Sequence, residues 1–205
     1  MSGYATYNEV LVDTIKNRHI VPIIEANKIN FSKYGRFVYS YNSEDVIINT
    51  WPKNDWRPIC KGTGMGGGVV KDIFQYWRED NYMKARNMNV IGNYTTGITT
   101  NNFESILTRE ANYHPDSGQV FYPIKKTPFL LLLALPGDDI KLSDFVAFCF
   151  DGTHGVQIYP NIWHQPAYPK DETCQFLNKQ GSVHACVSLD TIEEFNAWLE
   201  IPLFN

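Results

Sequence analysis

The stretch FLLLLAL, residues 129–135, decides which fold the chain can adopt. A run of this length is far too short for a membrane helix, which needs about 20 apolar residues. As a strand it would present apolar side chains on both faces, because successive residues of a strand point to opposite sides. The run therefore predicts a strand in the middle of a sheet, with both faces covered.

Other short apolar stretches lie close to this run. Four more strands are predicted from VFYP, FVAFCFDG, GVQIYP and VHACVSL, with PGDD, DGTHG and NKQGS as the turns that separate them. Regularly spaced short strands are typical of a sandwich or barrel. Residues 190–203 predict a helix capped by Thr191 and Glu194, and residues 19–40 predict a strand, a short helix ending at Gly35, and a strand.

The composition bounds the class of protein. Hydrophobic residues make up 43% and charged residues 20% of the 205 residues, as in an ordinary folded protein. The net charge is -4 and basic residues do not cluster, so we expect no nucleic-acid partner. The polar start MSGYATYNEV lacks a signal core, which favours a soluble cytoplasmic protein without a membrane partner. We expect one domain, 1–205, with N-terminal strands and loops in 1–105 and a clearer barrel half in 106–205.

Cysteines and glycines give weak signals. Cys60, Cys149, Cys174 and Cys186 form no CxxC pair, and we expect Cys149 and Cys186 to be small buried residues. GTGMGGG (62–68) matches GxGxxG, but no apolar strand leads into it, so a tightly turning loop is favoured over a dinucleotide site.

Two polar segments carry the candidate chemistry. EANYHPDSGQVFYP (110–123) contains Glu110, His114 and Gln119, and GVQIYPNIWHQP (155–166) contains Gln157, Tyr159, His164 and Gln165. Each histidine lies next to a predicted strand end, where a side chain can reach a barrel opening. A turn that happens to contain histidine, a metal site and a catalytic pocket all remain open. Strand alternation leads us to expect His114, Gln119, Gln157 and His164 in one pocket.

These segments, together with PFLLLLALPGDD (128–139) and VPIIEANKINFSKYGRFV (21–38), resemble the ureidoglycolate lyase family. That family has a His-Pro, a glutamine before Ala-Phe-Ile-Pro, and a Trp-His-His-Pro. The resemblance implies a mainly β fold, a cupin-type double-stranded β-helix barrel with additional N-terminal strands and a few short helices. His114, Gln119 and His164 match family positions, while Asn112, Gln157, Tyr159 and Gln165 stand where the family has other residues.

The resemblance also implies roles for these residues. We expect His114 and His164 as the acid/base pair, with Tyr159 as a possible proton donor, acting on a small ureido or hydroxy-acid substrate by C–N elimination. Substrate-binding candidates are Gln119, Gln157, Gln165, Lys125, Asn112 and Glu110. No cofactor is certain; at most one divalent metal ion is expected, on His114 and His164 with Gln119. The resemblance further implies a homodimer.

Two other functions fit the same residues. One is a cupin isomerase or lyase acting on another carbonyl or sugar substrate. The other is a non-catalytic cupin that binds a small ligand. A catalytic site needs histidines that exchange protons with the ligand, whereas a binding site needs only the pocket.

Overall fold

The structure, a computed structural model, describes residues 7–49, 55–60, 68–87, 92–100, 103–182 and 186–203. Within these ranges the chain forms two short helices, α1 (Glu9–Thr14) and α2 (Thr191–Phe195), and two 3-10 turns, Tyr41–Ser43 and Leu142–Asp144. The strands are β1 Arg18–Ile20, β2 Ile23–Glu25, β3 Gly35–Val38, β4 Val69–Glu79, β5 Tyr82–Asn87, β6 Tyr94–Thr99, β7 Ser105–Thr108, β8 Glu110–Tyr113, β9 Gln119–Pro123, β10 Phe129–Ala134, β11 Val146–Phe150, β12 Gly155–Ile158, β13 Trp163–His164, β14 Tyr168–Pro169, β15 Thr173–Gly181, β16 Val187–Asp190 and β17 Trp198–Pro202.

Two sheets organise these strands. One has the order β1-β17-β7-β6-β5-β4-β15-β9-β12-β3, and the other has the order β16-β8-β13-β10-β11-β2, with β14 also pairing with β10. Most neighbours are antiparallel, but β1 pairs with β17 and β2 pairs with β11 in parallel. The longer of the two described helices has six residues, far below the length of a membrane-spanning helix. The prediction of a mainly β chain is confirmed.

Strand β10 lies inside the second sheet, between β11 and β13. Leu130 and Leu132 pack into one apolar cluster, and Leu131 and Leu133 pack into another. Each of these four side chains is at most 1% exposed. Because both faces of the strand are covered, apolar residues are needed from Phe129 to Ala134, as we predicted, whereas Leu135 follows the strand and is 39% exposed.

The predicted short helix before Gly35 is wrong. Residues 28–34 form turns, and Gly35 begins β3 instead of ending a helix. A Cβ at Gly35 would lie 2.1 Å from the carbonyl oxygen of Gln157 on the neighbouring β12. Glycine is therefore required at this position for the close approach of two backbones.

The predicted C-terminal helix is much shorter than expected. It ends at Phe195, because Asn196 adopts a left-handed conformation with φ of 51°. The cap is Asp190, whose carboxylate accepts hydrogen bonds from the backbone N–H groups of Ile192 and Glu193, and not the predicted pair of Thr191 and Glu194. The remaining residues form β17, which pairs with β7 and β1.

The segment NKQGS, interpreted above as a turn, belongs to a long strand. Asn178 to Gly181 form the end of β15, and they pair with β4 and β9. Their polar character has a structural reason: Gln180 lines an internal cavity, and Asn178 bonds to Gln119, which also lines it. In VHACVSL only Val187 onward is a described strand. Residues 61–67 of the glycine segment and His184 lie outside the described residues.

Candidate functional site

The two sheets enclose a cavity of about 350 Å³. This volume lies within the range of sites for small molecules. One wall comes from the ten-stranded sheet and the other from the seven-stranded sheet. The described residues that line it are Cys60, Phe74, Tyr76, Asn87, Tyr94, Thr95, Thr96, Glu110, Ala111, Asn112, His114, Gln119, Phe121, His164, Gln165, Pro166, Gln180, Cys186 and Ser188.

Strand pairing arranges a polar row on one wall. His164 on β13 lies opposite Asn112 on β8, and Asn112 lies opposite Ser188 on β16. Side chains that are directly opposite in an antiparallel pair lie on the same face of the sheet. The three side chains therefore form a row across three strands, and all three line the cavity.

Two imidazoles meet at this wall. His114 directly follows β8, and its ring centroid is 5.0 Å from that of His164, with an angle of 52° between the ring planes. Both residues are buried. The backbone N–H of Asn161 donates to the carbonyl oxygen of His114 at 3.1 Å, so the turn after β12 is tied to the end of β8. The turn that contains the Pro160–His164 segment thus places His164 next to His114.

Hydrogen bonds fix the proton position on His164. Its Nδ1 lies 2.8 Å from the carbonyl oxygen of Ile162, which can only accept, so Nδ1 carries a proton. Its Nε2 lies 3.2 Å from Oε1 of Gln119, and Nε2 of Gln119 donates to Oδ1 of Asn178 at 2.9 Å. If Gln119 and Asn178 both rotate their amides by 180°, Gln119 offers an N–H to His164, and its oxygen accepts from Nδ2 of Asn178. Gln119 can therefore hold either the charged or the neutral imidazole.

Gln165 and Glu110 support the same wall. The Nε2 group of Gln165 donates to the backbone carbonyl oxygen of Glu110, which joins the residue after β13 to the start of β8. Gln165 is buried and Glu110 is half-buried. Among the described lining residues, Glu110 is the single Asp or Glu, and none is Lys or Arg.

Three predicted site residues lie outside the cavity. Gln157 pairs with Val120 on β9, the residue next to Gln119. Because neighbouring residues of a strand point to opposite faces, the side chains of Gln157 and Gln119 lie on opposite faces of the sheet. There it accepts a hydrogen bond from Nε of Arg36 at 2.9 Å and donates to the carbonyl oxygen of Asp45 at 3.2 Å. The expectation that Gln157 lies in one pocket with the two histidines is therefore wrong. In the pairing of β12 with β9, Ile158 and not Gln157 lies opposite Gln119.

Tyr159 and Lys125 are also displaced from the cavity. Tyr159 follows β12 and is 39% exposed. Lys125 lies in the exposed turn between β9 and β10. Neither lines the cavity, so neither side chain is positioned to contact a molecule bound there.

A pair of thiols at the cavity was missed by the sequence analysis. The backbone N–H of Cys60 donates to the carbonyl oxygen of Cys186 at 2.8 Å, and the Sγ of Cys60 lies 3.1 Å from Oγ of Ser188. A hydrogen bond from the Cys186 side chain, supported by Ser188, lowers the pKa of Cys60 to about 6. The expectation of a buried residue holds for Cys149, whereas Cys186 is half-buried and borders the cavity.

The donor set does not fit a metal ion. No group of three His, Cys, Asp or Glu side chains in the described ranges is arranged to hold one. The oxygen of Gln119 is a neutral amide, which is a poor ligand for zinc beside imidazole. The metal on His114, His164 and Gln119 stays a prediction, and no step below uses it.

Comparison with known proteins adds an independent observation. A family model described as "Ureidoglycolate lyase" matches residues 79–196, more than half of the chain. The chain belongs to the ureidoglycolate lyase family. The expected fold class, a cupin-type β structure with few short helices, is confirmed with it.

Curated members of the ureidoglycolate lyase family match over a shorter stretch. Proteins named "Ureidoglycolate lyase" from Salmonella enteritidis, Salmonella paratyphi B and Salmonella newport are each 33% identical to the chain over 72 residues. The match covers 35% of this chain and 45% of each relative, so it spans less than half of their length. The region matched by the family model contains both cavity histidines.

Proposed function

We propose that the chain is a lyase that cleaves ureidoglycolate into glyoxylate and urea. The observation that carries this proposal is the pair of buried imidazoles, 5.0 Å apart, in a cavity of about 350 Å³ lined with side-chain amides. Membership of the ureidoglycolate lyase family and the names of the relatives support the substrate.

The reaction needs one proton acceptor and one proton donor. A base removes the proton from the hydroxyl group, the electron pair of that O–H bond forms the carbonyl of glyoxylate, and the C–N bond breaks. An acid adds a proton to the leaving nitrogen, which completes urea. Imidazole is suited to both roles, because its unperturbed pKa lies near neutral pH. His114 and His164 take these two roles.

The amides around the histidines have supporting roles. Gln119 positions the ring of His164 through Nε2, and the substrate replaces Gln119 at this nitrogen when the proton is exchanged, because Nδ1 stays bound to Ile162. Gln165 fixes the start of β8 and thereby the residues that lead to His114. Held side chains keep reacting groups aligned, and misplacement by about 1 Å can cost about 10²-fold in rate.

The direct test is turnover of ureidoglycolate by the purified chain. Glyoxylate and urea should appear in equal amounts, and the His114→Ala and His164→Ala variants should lose most of this activity. His154 lies on a surface turn beside Tyr39, away from the cavity, so His154→Ala is the matched control and should keep the full rate. A wild-type protein that releases no glyoxylate would refute the proposal.

One observation favours a second candidate function. The described lining residues include a carboxylate, Glu110, and no Lys or Arg that would neutralise an anionic substrate. A related lyase acting on a neutral carbinol-urea, or on another small carbonyl compound, would not need such a cation. A substrate panel that pairs ureido acids with their uncharged amides separates the two, because the neutral members would be turned over faster.

A further inference from the structure

Gln180 is a buried cavity residue with a polar side chain. It lies on β15, is 1% exposed and lines the cavity. Neither its Nε2 nor its Oε1 has a hydrogen-bond partner among the described residues. Asn178, two residues earlier and on the same face of the strand, instead accepts a hydrogen bond from Gln119.

Within the part of the chain that the structure describes, this arrangement is unfavourable. Leaving a buried polar group without a partner costs about 1–3 kcal/mol, and nearly all buried polar side chains in folded proteins have one. The backbone of Gln180 is paired with Val70 on β4, so the residue cannot move out of the cavity without breaking the sheet. A buried amide that stays in this position points to a ligand that supplies both a donor and an acceptor.

The planar amide restricts which ligand group fits. One edge of the side chain offers an oxygen that accepts and an N–H that donates. A ureido group presents the complementary edge, a C=O beside an N–H, and can make two parallel hydrogen bonds to it. A carboxylate would use the N–H alone and would bring its charge close to Oε1 of Gln180. Uncharged amides elsewhere on the walls, including Asn87 and Asn112, suit the same neutral group.

We propose that Gln180 binds the ureido group of the substrate, with Oε1 accepting from its N–H and Nε2 donating to its C=O. This inference rests on the proposed function and assigns the end of the cavity that determines substrate class. Gln180 is a specificity-determining residue: the ureido group is held on β15, and the carbon that carries the hydroxyl is directed toward the imidazoles on the opposite wall.

The test uses two small probes that cannot react. Ureidoacetate carries the ureido group but lacks the hydroxyl, and glycolate lacks the ureido group. Their affinities are measured by NMR titration for the wild type and for Gln180→Met, which keeps the length of the side chain and removes both hydrogen bonds. Gln175→Met is the matched control, because Gln175 lies on the same strand with its side chain exposed.

Loss of two neutral hydrogen bonds should weaken ureidoacetate binding by about 10–100-fold in Gln180→Met, while glycolate binding and the Gln175→Met variant stay at the wild-type level. The melting temperature of Gln180→Met should equal or exceed that of the wild type, since an unsatisfied amide has been removed. Three outcomes would overturn the inference. Gln180→Met could bind both probes equally more weakly, it could bind ureidoacetate as tightly as the wild type, or the wild type could fail to bind ureidoacetate. Selective weakening without turnover of ureidoglycolate would uphold Gln180 and refute the proposed reaction.

Discussion

Two glutamines on neighbouring strands should respond differently to the same substitution. Gln119 on β9 and Gln157 on β12 are both buried, and each makes two hydrogen bonds. Gln119 faces the cavity and holds His164, whereas Gln157 faces the other side of the sheet. Replacement of either by methionine keeps the side-chain length and removes the amide.

The expected loss of stability follows from the partners that remain. Gln119→Met leaves Nε2 of His164 and Oδ1 of Asn178 buried without this partner, at about 1–3 kcal/mol each, and we expect a loss of about 2–6 kcal/mol. At about 2–4 °C per kcal/mol for a chain of this size, the melting temperature should fall by about 4–24 °C. Gln157→Met should cost less, about 1–2 kcal/mol, because Arg36 keeps Glu44 as a partner and Asp45 is exposed to water.

The rate of ureidoglycolate turnover separates the two variants. Gln119→Met should lower kcat by about 10–100-fold through misplacement of the imidazole, while Gln157→Met should keep kcat within about twofold of the wild type, since no cavity group is touched. Thermal melts followed by circular dichroism give the stability, and glyoxylate release gives the rate. Equal rate losses in the two variants, or an unchanged rate in Gln119→Met, would refute the assignment of the inner and outer faces.

Further outcomes are expected. His164→Ala should cut turnover by about 10²–10⁴-fold, the usual contribution of a general acid or base, with its circular dichroism spectrum unchanged. Alkylation of Cys60 by iodoacetamide should rise through pH 6 and level off above it, because its pKa is lowered to about 6 by Cys186 and Ser188; a rise centred near pH 9 would contradict this. Elemental analysis of untagged protein should find less metal than protein, and a stoichiometric metal surviving in a His114→Ala, His164→Ala double variant would place a site elsewhere. Light scattering should give the mass of a homodimer. A stable monomer at micromolar concentration would contradict this prediction.

The apolar pattern of the sequence predicted the central strand β10, but the face on which Gln157 lies depends on strand register and was predicted wrongly. The run at 129–135 identified β10, because burial on both faces leaves a clear signal. Gln157 was assigned to the wrong face because the start of β12 alone does not fix its pairing with β9. A shift of one residue moves every side chain of a strand to the other side of the sheet.

Polar residues inside the protein produced the other errors. Asn178 and Gln180 made the end of β15 look like a turn, since a strand that lines a polar cavity loses the usual pattern. Cys60 and Cys186 are 126 positions apart, and no local motif connects them. The two histidines were found because each lies one or two residues before a proline at a strand end, and the family resemblance matched the same positions.

Parallel pairing of β1 with β17 has a consequence for synthesis. Arg18 lies beside Trp198, 180 positions further along the chain. At translation rates of about 5–20 residues per second, β1 is synthesised about 9–36 seconds before its neighbour. Contacts this distant in sequence also slow folding once synthesis is complete. Newly made chains should therefore expose β1 unpaired during this interval, and their yield in cells should depend on chaperones that bind such segments.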